Sequence, residues 1–157
     1  MSAEIRKIVS PTEDELNRIT SWMYEWWGER EGYCFDAVKS YMKNSMNDTR
    51  LPKTFGLYKD GILIGIYQFT NHDLFVRPDI YPWLANVYID KNYRNAGFGK
   101  ILLESVKENA VSELDSDELY LFTNHKNLYE RFGWEMFEEE ETYQQEGIVS
   151  FYRLKLR

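Results

Sequence analysis

The sequence predicts an α+β fold: a mixed, mostly antiparallel central sheet with helices on both faces. Three observations carry this expectation. The predicted elements run β-αα-βββ-α-β-α-ββ, so strand and helix alternate only in part. Asp60-Gly61 separates two strand-like runs, and Asp-Gly supplies the positive φ values that a tight antiparallel hairpin needs. The stretch from Trp83 to Ala110 reads as strand, glycine turn and helix. With 157 residues, 43% of them hydrophobic and 17% aromatic, the chain is expected to form one domain with its own core over its whole length.

Taken in order, Ala3 to Val9 is a first strand. Ser10-Pro11-Thr12-Glu13 then reads as a helix start, with Ser10 as N-cap, Pro11 at the first helical position and Glu13 at the third. Leu16, Ile19, Met23 and Trp26 recur at helical spacing, which carries the helix to about Trp27 before Gly28. Ala37, Val38, Tyr41, Met42 and Met46 form the apolar side of a second helix. Leu51-Pro52 breaks that pattern, and Thr54 to Tyr58 with Ile62 to Thr70 makes the hairpin.

Asn71 to Pro82 contains two prolines and reads as an irregular connection. Trp83 to Ile89 is nearly continuous in apolar character, as expected of a strand buried on both faces. Lys100 to Val111 is a helix packing through Ile101, Leu102, Ser105, Val106 and Ala110. Glu118 to Phe122 is a strand, and Asn127 to Phe132 a short helix ended by Gly133. Trp134 to Thr142 and Ile148 to Leu156 close the chain as a hairpin around Gln145-Glu146-Gly147.

Charge narrows the function. The formal net charge of -7, from 19 basic and 26 acidic residues, lacks the basic footprint of a nucleic-acid protein. It is mildly favourable to a cationic substrate at long range, and ordinary solubility is the stronger reading of it. The single cysteine, Cys34, excludes an intrachain disulfide. The start Met1-Ser2-Ala3-Glu4 has no basic region followed by an apolar stretch, and the longest apolar run, near Gly61 to Phe69, is too short to span a bilayer. A cytoplasmic setting with no membrane partner is the expectation.

Arg94-Asn95-Ala96-Gly97-Phe98-Gly99 is the most informative stretch. A glycine turn between strand and helix aims unpaired backbone N–H groups and the positive end of a helix dipole at one point, which suits a phosphate. Glycine there permits positive φ and close approach of a ligand to the backbone. Two familiar phosphate motifs fail. A P-loop needs Ser or Thr after Gly-Lys, where Ile101 stands, and a glycine five before Gly99, where Arg94 stands. A dinucleotide fingerprint needs a glycine at Leu102.

In this context the chain resembles the GNAT superfamily of acyl-CoA N-acyltransferases. Four features carry the likeness in order: the strand Leu84-Ala85-Asn86-Val87-Tyr88-Ile89-Asp90, the turn Arg94 to Gly99, the helix after it, and Leu128-Tyr129-Glu130-Arg131-Phe132-Gly133-Trp134. Arg77-Pro78-Asp79 through Pro82-Trp83-Leu84-Ala85 is similar to one prokaryotic subgroup. The resemblance implies acetyl-CoA (coenzyme A) as cosubstrate, no metal, and a primary amine of a small molecule or peptide as acceptor.

It also implies residue roles. Val87, Tyr88 and Ile89 would pair their backbone with the pantetheine arm, as an added edge strand. The pyrophosphate would rest on backbone N–H groups from Asn95 through Ala96, Gly97, Phe98 and Gly99 to Lys100, with Arg94 bracing the turn and approaching phosphate. Asn124 or Asn127 would bond the pantetheine amide; a polar turn capping the next helix, Asn127 in particular, is the simpler reading of that segment.

Acetyl transfer to an amine requires a neutral amine, a polarised thioester carbonyl and a proton for the departing thiolate. By resemblance Tyr129 is the proton donor, and a backbone N–H of the splayed strand, that of Tyr88, polarises the carbonyl. The base is open. Trp83 to Ile89 holds no carboxylate, and Asp73, Asp79 and His72 are loop residues that could act through water. Asn86 could hold water or substrate but cannot take a proton. Trp22, Trp26, Trp27 and Tyr81, with Trp83, are aromatic candidates for the acceptor site, suited to an ammonium by cation–π contact. Trp22 and Trp26 are four apart, so at least one belongs to the core. Glu138 to Glu141 reads as a solvated strand face. The alternatives are a non-catalytic acyl-CoA-binding or regulatory domain, and a nucleotide-binding module. The oligomeric state is open, a homodimer among the alternatives.

Overall fold

The computed structural model describes residues 2–141 and 147–157. Strands β1 (Ala3–Ile8), β2 (Lys53–Lys59), β3 (Ile62–Thr70), β4 (Trp83–Ile89), β5 (Glu118–Thr123), β6 (Glu135–Glu141) and β7 (Ile148–Lys155) form one sheet in the order β1-β2-β3-β4-β5-β7-β6. β1–β2, β2–β3, β5–β7 and β6–β7 pair antiparallel, and β4–β5 pairs parallel. The mixed, mostly antiparallel sheet is therefore as the sequence predicts. The chain divides into two compact units, 1–69 with 86–102, and 70–85 with 103–157. Strand β4 contributes its first three residues to the second unit and its last four to the first.

In the first unit, α1 (Glu13–Met23) starts two residues later than the sequence reading places it. Thr12, not Ser10, is the N-cap. It forms a capping box in which the Glu15 N–H donates to Thr12 Oγ1 at 3.1 Å and the Thr12 N–H donates to Glu15 Oε1 at 2.9 Å. Thr-x-x-Glu satisfies two orphan donors reciprocally, which outweighs the proline signal before it. The helix then widens into a π-turn over Tyr24–Gly28, so the helical run reaches Trp27 as expected and also takes in Gly28, which the sequence reading places beyond its end. Gly28 is required by packing: a Cβ there would meet Val38 Cγ2 at 2.7 Å.

Helix α2 (Phe35–Lys43) buries Val38 and Met42, with Met46 just beyond it, whereas Ala37 and Tyr41 of the expected apolar side are exposed. These residues join Leu16, Ile19, Trp22 and Met23 against Ile8, Tyr58, Leu63, Ile66 and Tyr88 in one core cluster. On the opposite side of the β2–β3 pair Phe55 stacks on Tyr67, and Phe69 packs tilted against both. The turn Asp60-Gly61 takes φ of 50° and 82°, as the hairpin reading requires.

Strand β4 is buried at Trp83, Leu84, Ala85 and Tyr88, but Asn86, Val87 and Ile89 are only partly covered, so the expected burial on both faces holds for its first half. The expected Lys100 to Val111 helix is two pieces, α3 (Phe98–Glu104) and α4 (Val106–Glu113), interrupted at Ser105. In the second unit, Ile80, Trp83, Val149 and Phe151 form the core with Leu74, Tyr120, Phe122 and Phe137. The expected short helix is a 3-10 turn, Tyr129–Phe132, closed by left-handed Gly133. Its N-cap position is Leu128, so Asn127 does not cap it. The predicted closing turn at Gln145 and Glu146 lies outside the described residues.

Candidate functional site

The geometry of the first unit centres on the end of β4. Asp90, buried at the strand's foot, accepts from the Trp22 indole Nε1 at 3.1 Å and from the Asn92 backbone N–H at 2.9 Å; Arg18 Nη1 stands 3.8 Å from the same carboxylate. The Asp90 N–H in turn donates to the Ile64 carbonyl at 2.8 Å. These bonds fix where the chain leaves the sheet and enters the glycine turn.

The turn itself is exposed from Arg94 to Gly97, and Phe98 anchors it by burial. Asn95 and Gly97 adopt left-handed φ of 61° and 88°. A Cβ added at Gly97 or at Gly99 would meet nothing within 4 Å, so both glycines face open space. Glycine is therefore not needed for packing against the protein at either position, and the left-handed backbone accounts for it at Gly97. Gly99 and Lys100 lie in the first turn of α3 and are exposed. Arg94 braces the turn: its Nε donates to the Ile89 carbonyl at 2.9 Å, and its guanidinium carbon lies 5.0 Å from the Tyr88 ring centroid.

Tyr88 is also flanked by two indoles, Trp22 and Trp26, each with ring centroids 5.5 Å away. Of that pair Trp22 is core and Trp26 is 45% exposed, the division expected from their spacing. Trp27 packs edge-on against Tyr33 and Tyr41. A π-turn is a local departure from the helical ladder of the kind often found at functional sites, and here it carries Trp26 and Trp27. Within this unit the structure thus brings together Trp26, Tyr88 and Arg94, with Ile89 bonded to Arg94. Val87 is partly exposed beside them in the chain.

Asn86, also in this unit, has left-handed φ of 51° in mid-strand. Its Nδ2 donates to Gln68 Oε1 at 2.7 Å. Asparagine tolerates this backbone region better than other residues with side chains.

The second unit holds the remaining candidates. Tyr129 is 7% exposed and packs against Trp134 and Tyr152, at centroid distances of 6.1 and 5.9 Å. Burial, with a smaller contribution from Tyr152, pushes its phenol up to about 12. It is fully protonated at neutral pH, and its hydroxyl has no hydrogen-bond partner among the described residues. Neighbouring Tyr152 donates instead to Glu130 Oε2 at 2.9 Å. Asn124, His125 and Asn127 are exposed; the His125 N–H donates to Thr123 Oγ1 at 3.0 Å, which shapes that loop.

Asp79 is held by Arg77, whose Nε and Nη2 donate to its two oxygens at 3.1 Å each. These bonds keep the Asp79 carboxyl below the ordinary carboxylate range and make it a poor proton acceptor. Arg77 Nη1 also donates to Glu138 Oε2 at 2.7 Å and lies 3.8 Å from Glu140, so part of the predicted solvated glutamate face tethers this connection. Asp73 and Tyr81 are exposed, and Trp83 is fully buried, its ring edge-on to Phe122. Trp83 is a wall of the core here, with no surface of its own to offer a ligand.

The sequence reading passed over Asp90 and Gln68. A carboxylate directly after an apolar strand and before a glycine turn is the signal for the first; a lone amide in Ile62 to Thr70 is the signal for the second.

The fold and this turn define an acyl-CoA-type acyltransferase architecture. The acetyltransferase (GNAT) domain model matches residues 52–136, and the chain belongs to that family. N-acetyl transfer from acetyl-CoA is the activity of that class, and among the described residues no group of His, Cys, Asp and Glu is arranged to hold a metal. A probable spermine N(1)-acetyltransferase of Bacillus subtilis subsp. natto (strain BEST195) is 31% identical over 93 residues, 53% of this chain. The chain spans 59% of that relative's length.

Among solved structures, an aminoglycoside 6'-N-acetyltransferase complexed with coenzyme A has a TM-score of 0.75 at 11% identity, covering 98% of this chain and 97% of that one. A spermidine N-acetyltransferase chimera from Vibrio cholerae and hSSAT has a TM-score of 0.75 at 16% identity, over 99% and 96% of the two chains. A GNAT-family acetyltransferase from Streptococcus pneumoniae has a TM-score of 0.70 at 17% identity, over 99% and 100%. At these identities the structures share the fold. No helix among the described residues is long and apolar enough to cross a membrane.

Proposed function

We propose that this chain, acting over its whole length as one domain, transfers the acetyl group of acetyl-CoA to a primary amine of a small polycation of the polyamine class. The observation that carries the donor half is the turn from Arg94 to Gly99, braced on β4 and open at both glycines. The acceptor class is supported by the likeness to a probable spermine N(1)-acetyltransferase, together with the chain's net charge of -7.

Acetyl-CoA supplies an activated thioester, and the protein's contribution is to place it and manage protons. The backbone N–H groups of Asn95 to Lys100 take the pyrophosphate. Val87, Tyr88 and Ile89 offer backbone to the pantetheine, and an N–H in this strand polarises the thioester carbonyl. Strand β4 pairs parallel with β5 at its start, Trp83 opposite Tyr120. Trp26 offers its exposed indole face to an ammonium. Tyr129 donates a proton to the departing thiolate: its phenol is protonated at neutral pH, and its hydroxyl has no hydrogen-bond partner among the described residues. With Asp79 committed to Arg77, the amine reaches the site neutral or loses its proton through water, with Asp73 and His72 the remaining loop groups that could take it.

Thiol release from acetyl-CoA, measured against spermine, spermidine, aminoglycosides, amino acids and N-terminal peptides, tests this reading. Turnover of polyamines above the other amines is the expected result. Tight acetyl-CoA binding with no turnover of any amine would overturn it in favour of a non-catalytic acyl-CoA-binding domain, which the absence of a carboxylate from Trp83 to Ile89 favours.

A further inference from the structure

A chain of buried polar groups in the first unit leads to Asn86. Thr54 Oγ1 donates to the Ser45 carbonyl at 2.8 Å, Gln68 Nε2 donates to Thr54 Oγ1 at 2.9 Å, and Asn86 Nδ2 donates to Gln68 Oε1 at 2.7 Å. Thr54 and Gln68 are fully buried, and Ser45 is nearly so. Buried amides at this depth are costly to leave unpaired, so the network has to be satisfied throughout.

The direction of every bond follows from one end. A backbone carbonyl can only accept, so the one hydroxyl proton of Thr54 is committed to Ser45. Thr54 Oγ1 is then an acceptor, and Gln68 must turn its NH2 toward it. That leaves Gln68 Oε1 facing Asn86, which can answer only with its own NH2. Side-chain amides are otherwise ambiguous in orientation; here the hydrogen-bond polarity removes the ambiguity. Asn86 Oδ1 is left as the outward atom. It accepts no hydrogen bond among the described residues, and Asn86 is only partly buried.

We propose that Gln68, held by Thr54, is a positioning residue that locks the Asn86 carboxamide with Oδ1 outward as a hydrogen-bond acceptor for the N–H of the acceptor amine. This rests on the acetyl-transfer reading above. The left-handed backbone at Asn86 interrupts the alternation of β4 at this same residue. An amide oxygen suits an amine for a chemical reason. It accepts from both the ammonium and the neutral amine and never takes the proton itself, so it orients the nucleophile without competing for its charge state.

Thr54→Val tests the lock from a distance. Without the hydroxyl, Gln68 and Asn86 are free to reverse, and the outward atom becomes a donor that repels an N–H. With spermine as the probe, KM rises about ten-fold, on the scale of one lost hydrogen bond, kcat falls much less, and calorimetric acetyl-CoA affinity holds. Thr54→Ser restores the wild-type KM. A wild-type KM in Thr54→Val, with only a lower melting temperature, would overturn the proposal by making the network purely structural.

A second readout does not depend on turnover. In side-chain amide NMR spectra, the Asn86 NH2 protons exchange slowly in the wild type and in Thr54→Ser, and lose that protection in Thr54→Val. Unprotected Asn86 protons in the wild type would overturn the lock. Protected protons without turnover of any amine would leave the lock standing and remove the acetyl-transfer reading alone.

Discussion

The Trp22 indole N–H donates to the Asp90 carboxylate at 3.1 Å across 68 residues of chain, joining helix α1 to the point where β4 ends. The same carboxylate caps the short turn that leads to Arg94. Asp90→Ala removes both bonds and the nearby partner of Arg18. The expected loss is about 1–3 kcal/mol of stability, with weaker acetyl-CoA binding because the turn loses its foot. Denaturant melts and calorimetry on one preparation measure both; a stability loss with unaltered affinity would separate the foot from the turn.

Gly99 distinguishes packing from ligand contact. Its backbone φ is not left-handed and an added Cβ meets open space, so Gly99→Ala fits. In the first turn of α3 alanine should raise stability by about 0.5–1 kcal/mol. Acetyl-CoA affinity should nevertheless fall, since the methyl group occupies the line of approach, and the double variant Gly97→Asp with Gly99→Asp should abolish binding. A thermal melt and a titration check the two signs independently.

Tyr129→Phe should be nearly silent in stability, within about 0.5 kcal/mol, because the hydroxyl it removes has no partner among the described residues. Turnover should fall by about 10²-fold, the lower end of general acid–base contributions, with acetyl-CoA binding retained. Equal turnover in the variant would take Tyr129 out of the proton path.

Glu15 links helix capping to pH. Burial pushes its carboxyl up, but the Thr12 backbone, the Tyr58 hydroxyl and the Thr12 side chain together hold it below its ordinary value of 4.5. A depressed folded-state value means that the stabilisation is complete above the unfolded-state value and is lost as pH falls through the folded one. Glu15→Gln should cost about 1 kcal/mol at neutral pH, and the gap between variant and wild type should close in urea melts carried down through the carboxylate range.

Legibility tracked locality. The Asp60-Gly61 hairpin was readable because its dihedral demand falls on the two residues that name it, and the glycine turn for the same reason. The helix start was misplaced because Ser10-Pro11-Thr12-Glu13 and Thr12-Glu13-Asp14-Glu15 both offer hydroxyl and carboxylate three apart; only the second pair closes a reciprocal box. Asn86 stood out as an amide in an apolar strand, yet its partner Gln68, and Thr54 behind Gln68, come from other strands, so its orientation had no local signature. Asp79 looked like a free loop carboxylate because its neighbour Arg77 gave no sign of the fork it makes to both oxygens. The π-turn was invisible, since Trp22 and Trp26 fit an ordinary helix equally well.

That π-turn has a practical consequence for anyone building variant libraries. An extra residue in a helical turn rotates everything beyond it by about 100°. At Tyr24–Gly28, segment length therefore decides which way the Trp26 indole points, more than residue identity does. Libraries that vary side chains at fixed length will sample new surfaces on one frame. A single deletion, by restoring an ordinary helix, will instead swing a different side chain over Tyr88 and change the surface that this face presents.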